Sequence, residues 1–448
     1  MPDNHSSITR DVIEILIARY LNKHNYDQTL RNFLTEARLP LSTVEKTDNL
    51  EDLDTIIAER IAFKKFDNSS RLKSDINEVL PPDEELDKLP TWNHTIKGTV
   101  VENVPQPGAL AVNASVGLPL GLVVSTAAKE VCVFDKSSQI KHRFKCDGVI
   151  KKCGLLPNVA GDIIYYACGM DGTMSIYGKN WERLGRWKLH NRVITFMEFF
   201  VTQRDEIICF STGFDKLLIV SKLDLKTLSL ETLDTDELVS QCTTLKVLQG
   251  EQEEPIILYT RMDFSHLHIL KLEDYKIIER CRIALNTAQF STHAFNIHDM
   301  LVCGESHITN KNLNIQRIKQ GSYLALATSH CPYMRIILVK FPNLSDEYLA
   351  KQGKEANRPF IHYDMVVRSI ATNIPQDVYA QPILALRPHT SDVVVGCATG
   401  LYAVDIQLGT SWLLPIITQD AGIKTMAVYD NKVYLFLSNQ SLVLWSLC

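Results

Sequence analysis

Several signatures of chemistry are missing from this chain. It has no C-x-x-C and no Cys/His cluster at zinc-ligand spacing, so its 11 cysteines do not form a zinc module. Most sit in apolar, strand-like runs such as EVCVFD, YYACGM and EIICFS, and read as reduced core residues. Neither G-x-x-x-x-G-K-[ST] nor a strand-to-helix G-x-G-x-x-G occurs, which excludes the common phosphate loops, and G-x-S-x-G and H-E-x-x-H are absent too. No apolar run approaches the roughly 18 residues of a membrane helix, and the start MPDNHSS lacks the basic-then-apolar order of a secretory signal. We therefore expect a cytoplasmic or nuclear protein with no membrane contact, in which sequons such as those at Asn93 and Asn343 carry no weight.

A basic excess is missing as well. The formal net charge is −5, and residues 1–92 hold 12 Lys+Arg against 18 Asp+Glu, leaving 35 against 34 in the remainder. Nothing here resembles the surplus that a nucleic-acid binder uses to displace counterions, so nucleic acid is not an expected partner. What is present is 45% hydrophobic residues in 448, enough for one large core or two.

The front of the chain is helical. Ile8, Val12, Ile13, Leu16, Ile17, Tyr20 and Leu21 follow the three-and-four spacing of one helix face, with Ser6 or Ser7 as N-cap. A break at HNYD leads to Thr29, Leu30, Phe33, Leu34, Ala37 and Leu39, again at helical spacing, ending before Pro40. Two helices this short cannot cover both apolar faces by themselves, so the remainder needs a following segment or a second copy of the chain.

The run Leu16-Ile17-x-x-Tyr20-Leu21-x-x-x-Asn25-Tyr26-x-x-Thr29-Leu30-x-x-Phe33-x-x-Glu36 resembles the LisH (lissencephaly-homology) motif over about 33 residues. It departs at Asn25, where the family usually has Gly, and at Leu30, where it usually has Ala. Asn tolerates the left-handed conformation, so the turn survives, whereas the bulkier Leu30 should loosen the packing. The resemblance implies a homodimer or higher self-association through Leu16, Ile17, Tyr20, Leu21, Tyr26, Leu30 and Phe33. A hairpin packed only on its own chain is the other reading. We place the hairpin at 1–40, a further helix containing Leu50, Leu53, Ile56, Ile57, Ile61 and Phe63 within 41–75, and a Pro-punctuated linker at 76–93.

From Thr95 onward the helical signal almost vanishes. Short runs rich in Val, Ile, Tyr and Phe come in groups of four: ALAVNASV, GLVVSTAA, EVCVFDKS, HRFKC, then IKKCGLLP, DIIYYACGMDG, TMSIYGKN, RLGRWKL, and so on at a period of about 45–50 residues. Such a period over about 350 residues predicts a mainly β fold, a seven-bladed propeller spanning 94–448. The last unit supplies only three strands, so the strand in 95–104 should complete the final blade. Two polar insertions, around 304–320 and 343–359, should leave the fifth unit as loops.

The pattern resembles the WD-repeat family, most clearly at His190 before RVITFMEF and in STGFDKLLIVSK, where Asp215 takes the place of the turn aspartate. The Trp-Asp dipeptide itself is absent. Asp171, Asp215 and Asp263 recur at equivalent turns and read as turn caps. His266 and His268 share one strand face, a spacing open to a metal, but no third ligand accompanies them and they read as surface histidines. We expect no catalytic residue, no metal and no cofactor.

Recognition is the remaining function. The resemblance implies protein or peptide binding on loops between blades and between second and third strands, which nominates Arg192, Phe214, Asp215, Lys216, Arg261, Asp263, Phe264, His330, Tyr333 and Arg335. Proteins of this kind act as scaffolds in multiprotein complexes, including ubiquitin-ligase or degradation adaptors and transcriptional corepressors. An enzyme or small-ligand binder using the propeller channel, and an assembly or trafficking factor, stay open beside that reading.

Overall fold

The computed structural model describes residues 4–42, 52–57, 89, 91–94, 97–101, 104–117, 121–157, 162–262, 264–285, 295–303, 315–351, 359–388, 390, 392–416 and 421–447. They belong to two compact units, one formed by the first 80 residues and the other beginning at Pro81. No helix among the described residues is long and apolar enough to cross a membrane.

In the first unit, helices Asn4–Lys23 and Asp27–Ala37 form the expected hairpin. The first begins ahead of Ser6 and Ser7, so neither serine is its cap. Asn25 makes the turn with φ +58°, the left-handed geometry its side chain tolerates, and the Tyr26 N–H donates to the Leu21 carbonyl at 2.9 Å. Arg38 ends the second helix in the same conformation. Leu30 does not loosen the pair. It is buried against Ala18 and Leu34, and the small Ala18 leaves room for the larger residue across the hairpin. Lys23 and His24 then reach Asp52 and Asp54, pairing the hairpin bend with a turn of helix over 53–57. Leu50, Ile61 and Phe63 of the predicted third helix lie outside the described residues.

The second unit is a propeller of seven antiparallel sheets. In chain order the blades occupy residues 111–145, 150–188, 194–237, 242–284, 297–375, 383–413 and 423–447. Middle strands are mostly apolar and buried because neighbouring blades cover both of their faces; Ile207–Gly213 is buried at every position. Outermost strands meet water, so Ser229–Glu237 has no buried residue. Strand Gly98–Val101 pairs with Leu442–Leu447 and closes blade 7, as the count of three strands required. Gly98 is needed there, since a Cβ would stand 2.0 Å from the Trp445 indole.

The insertions behave differently from loops leaving the ring. The second holds a short helix, Asp346–Lys351, and leads directly into a strand, Phe360–His362, that runs parallel to Lys276–Ala284 as a fifth strand on blade 4. Leu344 and Leu349 are buried between blades 4 and 5. Residues 304–314 of the first lie outside the described residues, but its end is stitched to blade 4: the Gln249 N–H donates to the Gln316 carbonyl, and the Ile318 N–H to that of Gln249, both at 2.9 Å. Apolar side chains close to each insertion explain this, because leaving Ile318 or Leu349 in water would forfeit about 1.5–3 kcal/mol apiece.

The segment read as a linker ends in docked residues. Leu89 and Trp92 are buried, the Trp92 N–H donates to Asp405 at 3.0 Å, and the Arg387 guanidinium lies 4.5 Å from the Trp92 ring centroid. Arg387 is itself buried and paired with Asp392 at 3.0 Å. Leu89 and Trp92 thus pack on the propeller before its first strand begins.

Candidate interaction face

Antiparallel meandering puts the turns between second and third strands on the same face as the links from each blade to the next. On this upper face blade 3 is capped by a buried network. His190 Nδ1 donates to Asp215 at 2.8 Å, His190 Nε2 accepts from the Ser211 hydroxyl at 2.9 Å, and the Asn191 N–H donates to Asp215 at 2.8 Å. Burial alone would raise the Asp215 pKa, but bonds from His190 and Asn191 hold it below the ordinary carboxylate value. Burial likewise keeps His190 below its usual value, against the pull of Asp215. An ionised Asp215 and a neutral His190 fix the donor and acceptor roles just given.

Asp171 caps its own turn, accepting the Thr173 N–H at 3.1 Å and hydroxyl at 2.7 Å and pairing with Arg186 at 2.9 Å. Asp263 lies outside the described residues. Asp171 and Asp215 are thus turn chemistry, and the Asp215 carboxylate is occupied by His190 and Asn191 of the preceding link.

The remaining nominated residues fall into two groups. Arg192, Phe214, Lys216, Tyr333 and Arg335 are exposed on or beside the upper face. Lys216 sits at φ +62° and reaches the Val239 carbonyl at 3.4 Å. The others are held by neighbours. The Arg261 guanidinium lies 4.0 Å from the centroid of the Phe264 ring, and His330 bonds to Thr328 at 2.7 Å and packs on Phe295. Five of the ten are therefore exposed on this side of the propeller, three of them in blade 3 and its preceding link and two in blade 5.

Further exposed apolar residues belong to this face. Met170 is 48% exposed, Phe214 44% and Met262 38%, and each directly precedes the turn aspartate of its blade. Val239, Val378 and Tyr379 extend the set along the links between blades. Among the described residues, the turns of the opposite face expose only Leu228 and Leu408 as large apolar side chains. The sequence carried a signal for this in GMDG, GFDK and RMDF, where an apolar residue precedes the aspartate in three consecutive blades.

A second repeat surrounds the channel. Six of the seven innermost strands carry a register shift near their upper ends, leaving Val112, Lys151, Thr195, Thr243, His298 and Lys424 as the extra residues. Just below, side chains tie one innermost strand to the next. Ser115 donates to the Cys153 carbonyl at 2.6 Å, Lys152 lies 5.4 Å from the Phe196 ring centroid, Lys246 pairs with Asp299 at 3.7 Å, and Asp299 accepts the Leu384 N–H at 2.9 Å. Burial raises the Glu198 pKa and lowers that of Lys152. These contacts make the belt a seam between blades.

His266 and His268 do share a face, but not the surface one. His268 is buried, stacked on Tyr259 at 4.3 Å and bonded to Glu279, which also holds Arg282 through two bonds of 2.8 and 2.7 Å. No group of three metal-ligating side chains occurs among the described residues. Burial pushes the thiols up, Cys146 to about 11 and Cys153 to about 12, which is the opposite of nucleophile activation.

In the hairpin, Leu16 and Leu30 are buried, Ile17, Tyr20, Leu21 and Phe33 are half-buried, and Tyr26 is 52% exposed. Ile13, Leu41 and Ile57 are exposed as well.

This two-part arrangement matches a family model in both parts: "UCP007778, beta-propeller domain" over residues 74–446 and "UCP007778, LisH domain" over 11–45. The chain belongs to the UCP007778 family. A Saccharomyces cerevisiae protein described as "Uncharacterized protein YGR117C" is 30% identical over 442 residues, covering 93% of this chain and 91% of that protein. The family model bears out the LisH resemblance drawn from Leu16 to Glu36, and the propeller match includes the docked stretch around Trp92. The LisH and propeller combination marks this UCP007778 member as a protein of the interaction type.

Proposed function

We propose that the protein is a non-enzymatic, self-associating scaffold whose LisH hairpin pairs two copies and whose propeller binds a protein or peptide on its upper face. The carrying observation is the repeat of an exposed apolar residue at one turn position in three successive blades, with almost nothing comparable opposite. Scattered apolar side chains are normal on any surface, but a series in register on one face marks a contact region. Two such faces in one dimer raise avidity for a multivalent partner by about 10²-fold or more without new contacts. A degradation or ubiquitin-ligase adaptor and a transcriptional corepressor subunit are the specific forms this takes. The ten described cysteines are free and mostly buried, which suits the reducing cytoplasm or nucleus.

Light scattering on the wild type and on a Leu16→Asp/Phe33→Asp variant tests the pairing, with a dimer expected to become a monomer. Affinity purification with mass spectrometry, in parallel on a Phe214→Asp/Met262→Asp variant, tests the face. Partners that survive both substitutions undiminished sink the proposal.

A further inference from the structure

We propose that the upper part of the channel, where blades 2 and 3 meet, binds a small zwitterion of the α-amino-acid class between Lys152 and Glu198. This goes beyond the partner reading above and does not depend on it.

The inner belt is unevenly paired. On blades 4 and 5 Lys246 meets Asp299 at 3.7 Å, and Asp299 also accepts the Leu384 N–H. On blades 2 and 3 the pairing stops. Lys152 has the Phe196 ring centroid 5.4 Å away and forms no ion pair or hydrogen bond among the described residues. The Glu198 carboxylate and the Tyr166 hydroxyl form none either. All three side chains are half-buried, and they act on one another. Burial lowers the Lys152 pKa, opposed most strongly by Glu198, and burial raises that of Glu198, opposed by Lys246 and Lys152. Burial, with Cys168 and Glu198 nearby, holds the Tyr166 phenol well above its usual value, so it stays a donor. Buried polar groups are ordinarily partnered, and three neighbouring ones without a protein partner mark a place for something else.

Local sequence brings the three together. The register shifts after Ile150 and Ile194 turn Lys152, Phe196 and Glu198 toward the channel. Gly154 lets the Tyr166 ring lie across the innermost strand, since a Cβ there would stand 2.8 Å from it. Two positions below Glu198 and Lys246, Phe200 and Leu248 are buried, an apolar floor that leaves entry from the upper face. The charges then select the ligand. A lone anion at Lys152 would meet Glu198, and a lone cation at Glu198 would meet Lys151, Lys152 and Lys246. A molecule carrying both charges satisfies each group, with its carboxylate toward Lys152 and the Tyr166 hydroxyl, its ammonium toward Glu198 and its side chain on Phe196.

Melting curves and calorimetric titrations of the full chain with each common α-amino acid, up to about 10 mM, provide the test. At least one amino acid should raise Tm and bind at one per chain, while the matching amine and the matching carboxylate at the same concentration do not. Lys152→Met and Glu198→Gln should each weaken that binding about 10-fold or more, and Tyr166→Phe about 3-fold. Lys152→Met/Glu198→Gln, which removes both charges, replaces either single variant if its unliganded melting curve shows misfolding. Stabilisation by no amino acid, or equal affinity in wild type and variants, would overturn the proposal and leave the three groups to ordered water. Equal stabilisation by the amine or by the carboxylate alone would overturn the zwitterion and reduce the place to a simple ion site. None of these outcomes touches the partner face, whose own test uses Phe214 and Met262.

Discussion

Blades 3 and 4 are neighbours with the same four-strand geometry, yet different side chains lock their upper ends. Blade 3 uses a charged network crossing from the preceding link to the turn, with Asp215 joining His190 and Asn191 and Ser211 completing it beneath. The link before blade 4, residues 238–241, supplies no histidine; instead Arg261 stacks on Phe264 and its Nη1 meets the Ser240 hydroxyl at 3.4 Å. The buried charge of blade 4 lies farther out, where Glu279 joins His268 to Arg282. Both share the hydroxyl pair at the inner bulge, Thr195 with Thr212 at 3.0 Å and Thr243 with Thr260 at 2.8 Å. The propeller therefore depends on strand pattern and inner bulge, while the WD-type network is one of several ways to fasten a turn. This explains how a ring of seven stands without a single Trp-Asp.

Breaking each lock measures the difference. Asp215→Ala should cost the most, about 3–4 kcal/mol, because it leaves a fully buried His190 without its partner. Chemical denaturation would read this, and a loss below about 1 kcal/mol would show that the network is ornamental. Glu279→Gln in blade 4 should cost about 2–3 kcal/mol, since the two bonds to Arg282 weaken and His268 loses an ionised acceptor.

Acid should act on blade 4 through His266. Burial, with His268, Arg282 and Arg261 nearby, lowers its pKa from the ordinary 6.5 to about 4, against a weak pull from Glu279. The unfolded chain then binds more protons between those values. Stability is full above about pH 6.5 and falls as the pH drops toward 4, by on the order of 2 kcal/mol from this residue. Glu279, held near 2 by Arg282 and His268 despite its burial, titrates below that window. Melting curves of His266→Gln should be flatter than wild type from pH 6.5 to 4, with His190, His268, His298 and His362, all lowered by burial, among the groups that supply the slope that remains; identical slopes would remove His266 from the account. Smallest of all should be Asp171→Ala in blade 2, below about 1 kcal/mol, because its pairing with Arg186 is solvent-exposed.

The ring, its closure and the hairpin were legible because each rests on a periodicity. Three strands at the end and one at the start leave little choice of topology, and Leu16 to Glu36 carry a spaced motif. The inner bulge was also written, though in an unfamiliar form. Ile150/Cys153, Ile194/Met197, Cys242/Leu245, Ile297/Met300 and Ile423/Met426 are buried pairs three apart, where a regular strand would space them by two. What stayed hidden was pairing across long sequence distances. Nothing local tells that Phe360–His362 joins blade 4, that Trp92 docks on Arg387, or that His268 faces Glu279 instead of water. On the face itself, residue type alone overcounted: Arg261 and Phe264 are interface types that satisfy one another, while Met170 and Met262 are the ones left bare.

The closing strand has a consequence in time. Gly98–Val101 is synthesised ahead of all seven blades and its partner Leu442–Leu447 only with the last of them, so the ring stays open until the seventh blade has been made. The hairpin, whose contacts all lie within the first few dozen residues, needs none of that wait.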